Sequence, residues 1–268
     1  MPSIQGHRGC RGLLPENTIE GFKHALDMGC EFIELDITIT KDREVLVSHD
    51  AFPSAEYCTH PSIALASSNE KNYNFFAMKY SEIREFDCGM KPHSRFPQQV
   101  NTSAYKPLLR EMVKELEIYY SNFIYNIEIK SEEATDSVYH PKPEEYVQIL
   151  LKELDELDIT TRCFIQSFDV RPLSIIHQIR PEIKLGYIVG YNEFDDNMEK
   201  IDFIPNAYVA HYSLVDAELV SKVHQIGMKL FVWTVNRPEE MNRILSLNID
   251  SIITDYPDLL LQKINHPT

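Results

Sequence analysis

The chain has 268 residues, 43% of them apolar, with 41 acidic residues against 26 basic ones. Such a length allows a single large domain, since one α/β barrel commonly runs to about 250 residues. The acidic excess argues against a nucleic-acid backbone or an anionic membrane surface as the main partner.

No apolar run approaches the ~18 residues of a membrane span. The opening Met-Pro-Ser-Ile-Gln-Gly-His lacks the charged-then-apolar pattern of a signal peptide. Five scattered cysteines without a CxxC pair suggest reduced thiols, so a soluble cytoplasmic protein is expected.

Ile4 to His7 reads as a strand, followed by a loop ending at Asn17-Thr18. A helix then places Ile19, Phe22, Ala25 and Leu26 on one face and stops at Gly29. Asn17 is its expected N-cap, with Glu20 completing a box-like start. Phe32 to Thr40 is the second strand, and a polar turn returns the chain as a hairpin partner, Val45 to His49. Residues 51–105, rich in Ser, Asn, Pro and Tyr, break the rhythm, and only Tyr80 to Phe86 looks helical. Insertions of this kind commonly cover or shape a functional site.

Alternation resumes after Pro107 with helix 108–121, strand 123–130, helix 143–158, strand 162–167, helix 171–179 and strand 184–189. The acidic run Glu193-Phe194-Asp195-Asp196 reads as solvated loop. Strand 207–211, helix 216–226, strand 228–235, helix 238–246, strand 250–253 and a short final helix follow. Eight strand signals besides the hairpin strand, in β-then-α order, favour a parallel sheet closed as a TIM (β/α)8 barrel. The expected organisation is one domain over 1–268 with an insertion at about 51–105.

Glu34 and Asp36 lie two apart in the apolar run Phe32-Ile33-Glu34-Leu35-Asp36-Ile37. Side chains on a strand alternate faces, so both carboxylates project from one side. Buried charges persist only when paired or bound to a metal, and the pair therefore asks for a cation. Glu128 and Lys130 share a face in the same way on another apolar strand. In a barrel, functional groups gather at the C-terminal strand ends, which brings these residues together with His7, Arg8 and His49. Carboxylate oxygens suit Mg²⁺ or Ca²⁺. Arg8 and Lys130 can neutralise phosphoryl oxygens, and two histidines can work as base and acid near neutral pH.

Gly6-His7-Arg8-Gly9, Pro15-Glu16-Asn17-Thr18, Glu34-Leu35-Asp36 and His49-Asp50, in that order, resemble the opening of the glycerophosphodiester phosphodiesterase family. The resemblance continues through Glu128-Ile129-Lys130, Gln166-Ser167-Phe168, Val232-Trp233-Thr234-Val235-Asn236 and Thr254-Asp255-Tyr256-Pro257. It implies one divalent cation, Mg²⁺ or Ca²⁺, held by Glu34, Asp36 and Glu128. It also implies acid–base catalysis by His7 and His49, and a substrate phosphate held by Arg8 and Lys130. The implied reaction is hydrolysis of a small-molecule glycerophosphodiester to glycerol 3-phosphate and an alcohol. By analogy, the glycerol 2-hydroxyl attacks phosphorus and water opens the resulting cyclic phosphate.

Phe168, Trp233 and Tyr191 are candidates for lining the pocket, with packing as the competing role. The remaining histidines read as surface residues, His211 excepted because it ends a strand. One rival reading keeps the chemistry but takes lysophospholipids, using Phe75, Phe76 and Met78 of the insertion as an apolar groove. A second is a catalytically silent module that binds phosphorylated metabolites, disfavoured because both histidines and all three acids are present.

Overall fold

The computed structural model describes residues 1–265. Its frame is a ring of parallel strands: β1 (Ser3–Gly6), β2 (Phe32–Ile39), β4 (Ile124–Ile129), β5 (Cys163–Ser167), β6 (Lys184–Val189), β7 (Ala207–His211), β8 (Lys229–Trp233) and β9 (Ser251–Thr254). Each strand pairs with the next, and β1 pairs with both β9 and β2, which closes the barrel. The antiparallel strand β3 (Val45–Val47) sits outside the ring.

Strand lengths explain that extra strand. β2 has 8 residues, but β1 has 4 and pairs only with Phe32 and Ile33. The edge of β2 beyond Ile33 would be left with unpaired backbone groups. β3 covers its end, with Ile37, Thr38 and Ile39 opposite Val47, Leu46 and Val45.

The main helices α1 (Ile19–Asp27), α3 (Leu109–Glu117), α4 (Pro143–Glu156), α5 (Val170–Ile179), α7 (Ala217–Gln225), α8 (Pro238–Leu245) and α9 (Pro257–Asn265) follow the strands as expected. α4 shows how the sequence specifies them. Pro143 opens its first turn, Glu144 and Glu145 suit the positive N-terminal end, and Tyr146, Val147, Leu150, Leu151 and Leu154 form its buried stripe. That stripe packs on outward-facing strand residues such as Ile37, Ile127 and Ile129, within one continuous core.

The barrel interior has two unlike sides. Phe164, Ile188, Ala207, Val209, Phe231 and Ile253 form a compact apolar cluster. Gly186 is part of this fit, because a Cβ there would lie 2.6 Å from the Phe164 ring. On the other side, Gln5 donates to Ser251 Oγ (2.9 Å) and accepts from Asn126 Nδ2 (2.6 Å).

Several sequence expectations are corrected. Thr18, not Asn17, caps α1, its hydroxyl accepting from the Gly21 N–H at 3.1 Å. Asn17 turns inward instead and donates to Asp36 Oδ2 (2.9 Å). The acidic run at 193–196 contributes a short helix, α6 (Phe194–Met198), because Phe194 packs on Tyr208 with ring centroids 5.2 Å apart.

The thiols are not all reduced, since Cys58 and Cys88 are bonded. Thr59 and Asp87 form an antiparallel bridge, which sets these flanking cysteines opposite one another. Cys10, Cys30 and Cys163 are free and buried. His93 and His140 are buried too, not at the surface.

The insertion holds another short helix, α2 (Tyr80–Ile83), and two small cores. Leu46, Phe75, Ile83 and Leu108 form one, and Tyr57, Cys58, Phe86 and Cys88 the other. Phe75 is fully buried there, so it is unavailable to an open groove.

Candidate active site

The strand ends of β1, β2, β4, β5, β8 and β9 surround a cavity of about 580 Å³. His7, Arg8, Glu34, His49, Glu128, Lys130, Phe168 and Trp233 line it, and the insertion adds Arg95. Asp36 lies just beneath this surface, buried beside Glu34. The expected residues therefore meet at one mouth of the barrel.

The turn after β1 is tight. Gly6 has no room for a side chain, since a Cβ would lie 2.0 Å from the Gly9 carbonyl oxygen. The turn directs the Arg8 N–H to Glu34 Oε2 at 2.9 Å. His7 Nδ1 lies 2.6 Å from Asp255 Oδ1, leaving Nε2 on the Glu34 side, 3.9 Å from Oε2. Asp255 is completely buried and takes three further bonds: Arg11 Nε (2.9 Å), Arg11 Nη2 (3.0 Å) and Asn236 Nδ2 (2.7 Å). Burial lowers the His7 pKa to about 4, against the opposing pull of Asp255. His7 is consequently neutral near pH 7, with Nδ1–H donating to Asp255 and the Nε2 lone pair free. Burial also opposes ionisation of Asp255, but His7 and Arg11 outweigh it and hold the carboxyl below its usual range.

Glu34, Asp36 and Glu128 each offer an oxygen, and the three lie within 4.8 Å of one another. Burial raises the Glu34 pKa well above normal, and the charges of Asp36 and Glu128 raise it further. Asp36 shifts the other way. Burial opposes its ionisation, but Arg8, His49 and Lys130 outweigh that. Asp36 Oδ1 is buried without a hydrogen-bond partner, an uncommon and costly state for a carboxylate oxygen. Three crowded carboxylates with an all-oxygen donor set are compatible with a hard divalent cation.

Arg8 lines the cavity, but its guanidinium is already engaged. Nη1 bonds both Glu16 oxygens (3.0 and 3.1 Å), and Nε lies 3.2 Å from Asp36 Oδ2. The insertion reaches this network through Tyr57, whose hydroxyl donates to Glu16 Oε1 (3.1 Å). Lys130 Nζ lies 2.6 Å from Glu128 Oε1 and 3.7 Å from Asp36 Oδ1. His49 is more open and pairs with Asp50 at 3.0 Å.

Trp233 and Phe168 meet edge to face at 5.5 Å and form an apolar wall, while the Trp233 Nε1–H donates to the Val209 carbonyl (3.0 Å). Tyr191 lies on a neighbouring groove rather than in this cavity. Asp255, Arg11, Asn236 and Gln166 were assigned no role from sequence. Asp255 follows β9 directly, so the strand-end rule that found His7 would also have found it. Nothing local in the sequence marks Tyr57.

A barrel presenting acids, bases and cations at its C-terminal mouth has the layout of a phosphoric diester hydrolase. The sequence model of the glycerophosphoryl diester phosphodiesterase family matches residues 7–259. A glycerophosphodiester phosphodiesterase of Caldanaerobacter subterraneus is 31% identical over 96% of both chains. A lysophospholipase D of Rattus norvegicus is 26% identical over 97% of this chain and 85% of its own.

Among solved structures, a Silicibacter pomeroyi protein provisionally named glycerophosphoryl diester phosphodiesterase has a TM-score of 0.88. It is 25% identical and covers 98% of this chain and 92% of its own. An Oleispira antarctica phosphodiesterase, solved with the product sn-glycerol-3-phosphate, has a TM-score of 0.77 at 21% identity, covering 99% and 97%. The chain belongs to the glycerophosphoryl diester phosphodiesterase family.

Proposed function

We propose that this protein hydrolyses glycerophosphodiesters to glycerol 3-phosphate and an alcohol, using His7 and His49 and a divalent cation. The observation that carries the reading is the cluster of Glu34, Asp36 and Glu128 in reach of His7 and Lys130 at one barrel mouth. Family membership and the product seen in the Oleispira antarctica phosphodiesterase support it.

Glu34, Asp36 and Glu128 would hold the cation, which supplies Lewis-acid polarisation of a phosphoryl oxygen. Lys130 sits beside the same acids and neutralises charge on the phosphoryl group as it moves toward the transition state. Arg8 orders Asp36 and Glu16 while facing the cavity. Phe168 and Trp233 give the glycerol carbons an apolar wall.

His7, neutral and fixed by Asp255, has a free Nε2 lone pair and acts as the base. It takes the proton of the glycerol 2-hydroxyl as that oxygen bonds to phosphorus. His49 lines the same cavity and protonates the leaving alcohol as its P–O bond breaks. Water then opens the cyclic phosphate, with the proton transfers reversed.

The test separates base from acid. His49→Ala should lose activity on glycerophosphocholine but recover most of it on glycerol p-nitrophenyl phosphate, which keeps the 2-hydroxyl and whose leaving group needs no proton. His7→Ala should be impaired on both. Equal impairment of the two variants on both substrates contradicts the assignment.

A further inference from the structure

A second cavity, of about 640 Å³, adjoins the first and shares His49, Glu128, Lys130 and Phe168 with it. His7 and Glu34 line only the first; Phe52, Tyr139 and Tyr191 line only the second. The phosphoryl-binding Lys130 thus stands at a junction, with the base on one side and the proposed acid reaching both. We propose that the groove beyond Lys130 seats the leaving alcohol and selects alcohols that carry an ammonium group. This rests on the diesterase reading and deepens it.

Four aromatic rings from four different segments face or flank this groove. Phe52 and Tyr139 lie 6.1 Å apart between ring centroids. Phe168 and Tyr191 are 44% and 71% exposed, so core packing does not account for either. Glu132 and Glu133 stand on the rim, exposed, and make no ion pair among the described residues. Aromatic faces combined with unpaired carboxylates attract a quaternary or primary ammonium.

The wall is built rather than floppy. The buried His140 ring is held between the Glu132 N–H (3.1 Å) and the Pro141 carbonyl (2.8 Å). Arg171 ties the same loop down through Asp136, with Nη1 to Oδ2 at 2.7 Å. Lys71, Lys130 and Lys200 already rest 5.9, 5.8 and 5.9 Å from the Phe52, Phe168 and Tyr191 ring centroids. A ligand ammonium would replace those long contacts, which keeps the expected selectivity near tenfold. The first cavity, which holds the base and the acids, suits the glycerol phosphate common to every substrate of the class, and the adjoining groove suits the part that varies.

The experiment measures kcat/KM of the cation-loaded protein on glycerophosphocholine, glycerophosphoglycerol and a long-chain lysophosphatidylcholine. Glycerophosphocholine should exceed glycerophosphoglycerol by about tenfold. Phe52→Leu, Tyr191→Leu and the double variant Glu132→Gln/Glu133→Gln should each lower that ratio, chiefly through KM for the choline ester. Tyr191 is exposed enough that its variant carries no folding risk.

A wild-type ratio near one, or variants that slow both small esters alike, overturns the ammonium subsite and leaves the diesterase intact. The lysophospholipid carries the same choline leaving group, so its turnover should fall in the same variants; unchanged turnover there also overturns the ammonium subsite. Hydrolysis of none of the three removes the diesterase reading, and the subsite with it.

Discussion

The two sides of the barrel interior are held together by opposite physics. Around β5 to β9, Phe164, Ile188, Val209, Phe231 and Ile253 interlock as an apolar plug, and that side of the interior is filled by packing. Around β1, β2, β4 and β9, the buried groups include Gln5, Glu34, Asp36, Asn126, Glu128 and Asp255. That side depends on hydrogen bonds and ion pairs to offset the cost of burying charge, and the proposed cation would add to them. The packed half gives rigidity, and the charged half keeps unpartnered groups such as Asp36 Oδ1 that a ligand can satisfy.

Substitutions on the two sides should therefore fail differently. The largest effect is expected on the charged side. His7→Ala or His49→Ala should lower kcat on a natural diester roughly 10²–10⁴-fold while the thermal midpoint stays close to wild type; near-normal rates would sink the catalytic assignment. On the packed side, Phe164→Ala should cost about 3–5 kcal/mol of stability in a urea titration. Surviving folded protein should turn over at close to the normal rate, and a variant with intact stability but lost activity would reverse the comparison.

Asp255→Asn should approach the loss of His7, up to roughly 10⁴-fold in kcat, because an amide can donate to Nδ1 and hold the ring in the tautomer whose Nε2 carries the proton. A pH–rate profile should move along with the rate if Asp255 acts through His7.

The smallest effect concerns pH. In chelator, Glu34 has a folded-state pKa above its unfolded value. Its contribution to stability is then full below the unfolded pKa and is lost as pH rises through the folded one. A bound divalent cation needs the ionised carboxylate and removes that penalty. The gain in melting temperature on adding Mg²⁺ or Ca²⁺ should accordingly be larger at pH 8 than at pH 6. Equal gains at both would argue that Glu34 is not a ligand.

The charged half was the more legible in sequence. Carboxylates at Glu34, Asp36 and Glu128 inside apolar strand runs contradict burial rules, and a contradiction of that kind is visible in one dimension. The ring of strands was legible for the same reason, since β–α alternation is a local pattern. Asn17 shows the limit. Its identity suits a helix cap, yet Thr18 beside it takes that role, and only the tertiary fold presents Asp36 to Asn17.

The insertion was the least readable segment. The Cys58–Cys88 bond spans 30 residues of irregular chain, and its basis is the Thr59–Asp87 bridge, which no periodicity announces. Tyr57 entering the Glu16–Arg8 network, and Phe75 turning into a small core instead of a groove, are likewise products of long-range packing.

We propose the charged half as a cation-dependent phosphodiester centre. It is tested most directly by stripping the protein with a chelator and measuring glycerol 3-phosphate released from glycerophosphocholine as Mg²⁺ or Ca²⁺ is returned. Activity should disappear on chelation and return with the divalent ion, with no comparable return in Glu34→Gln or Asp36→Asn. Full turnover by the chelated wild-type protein would contradict it.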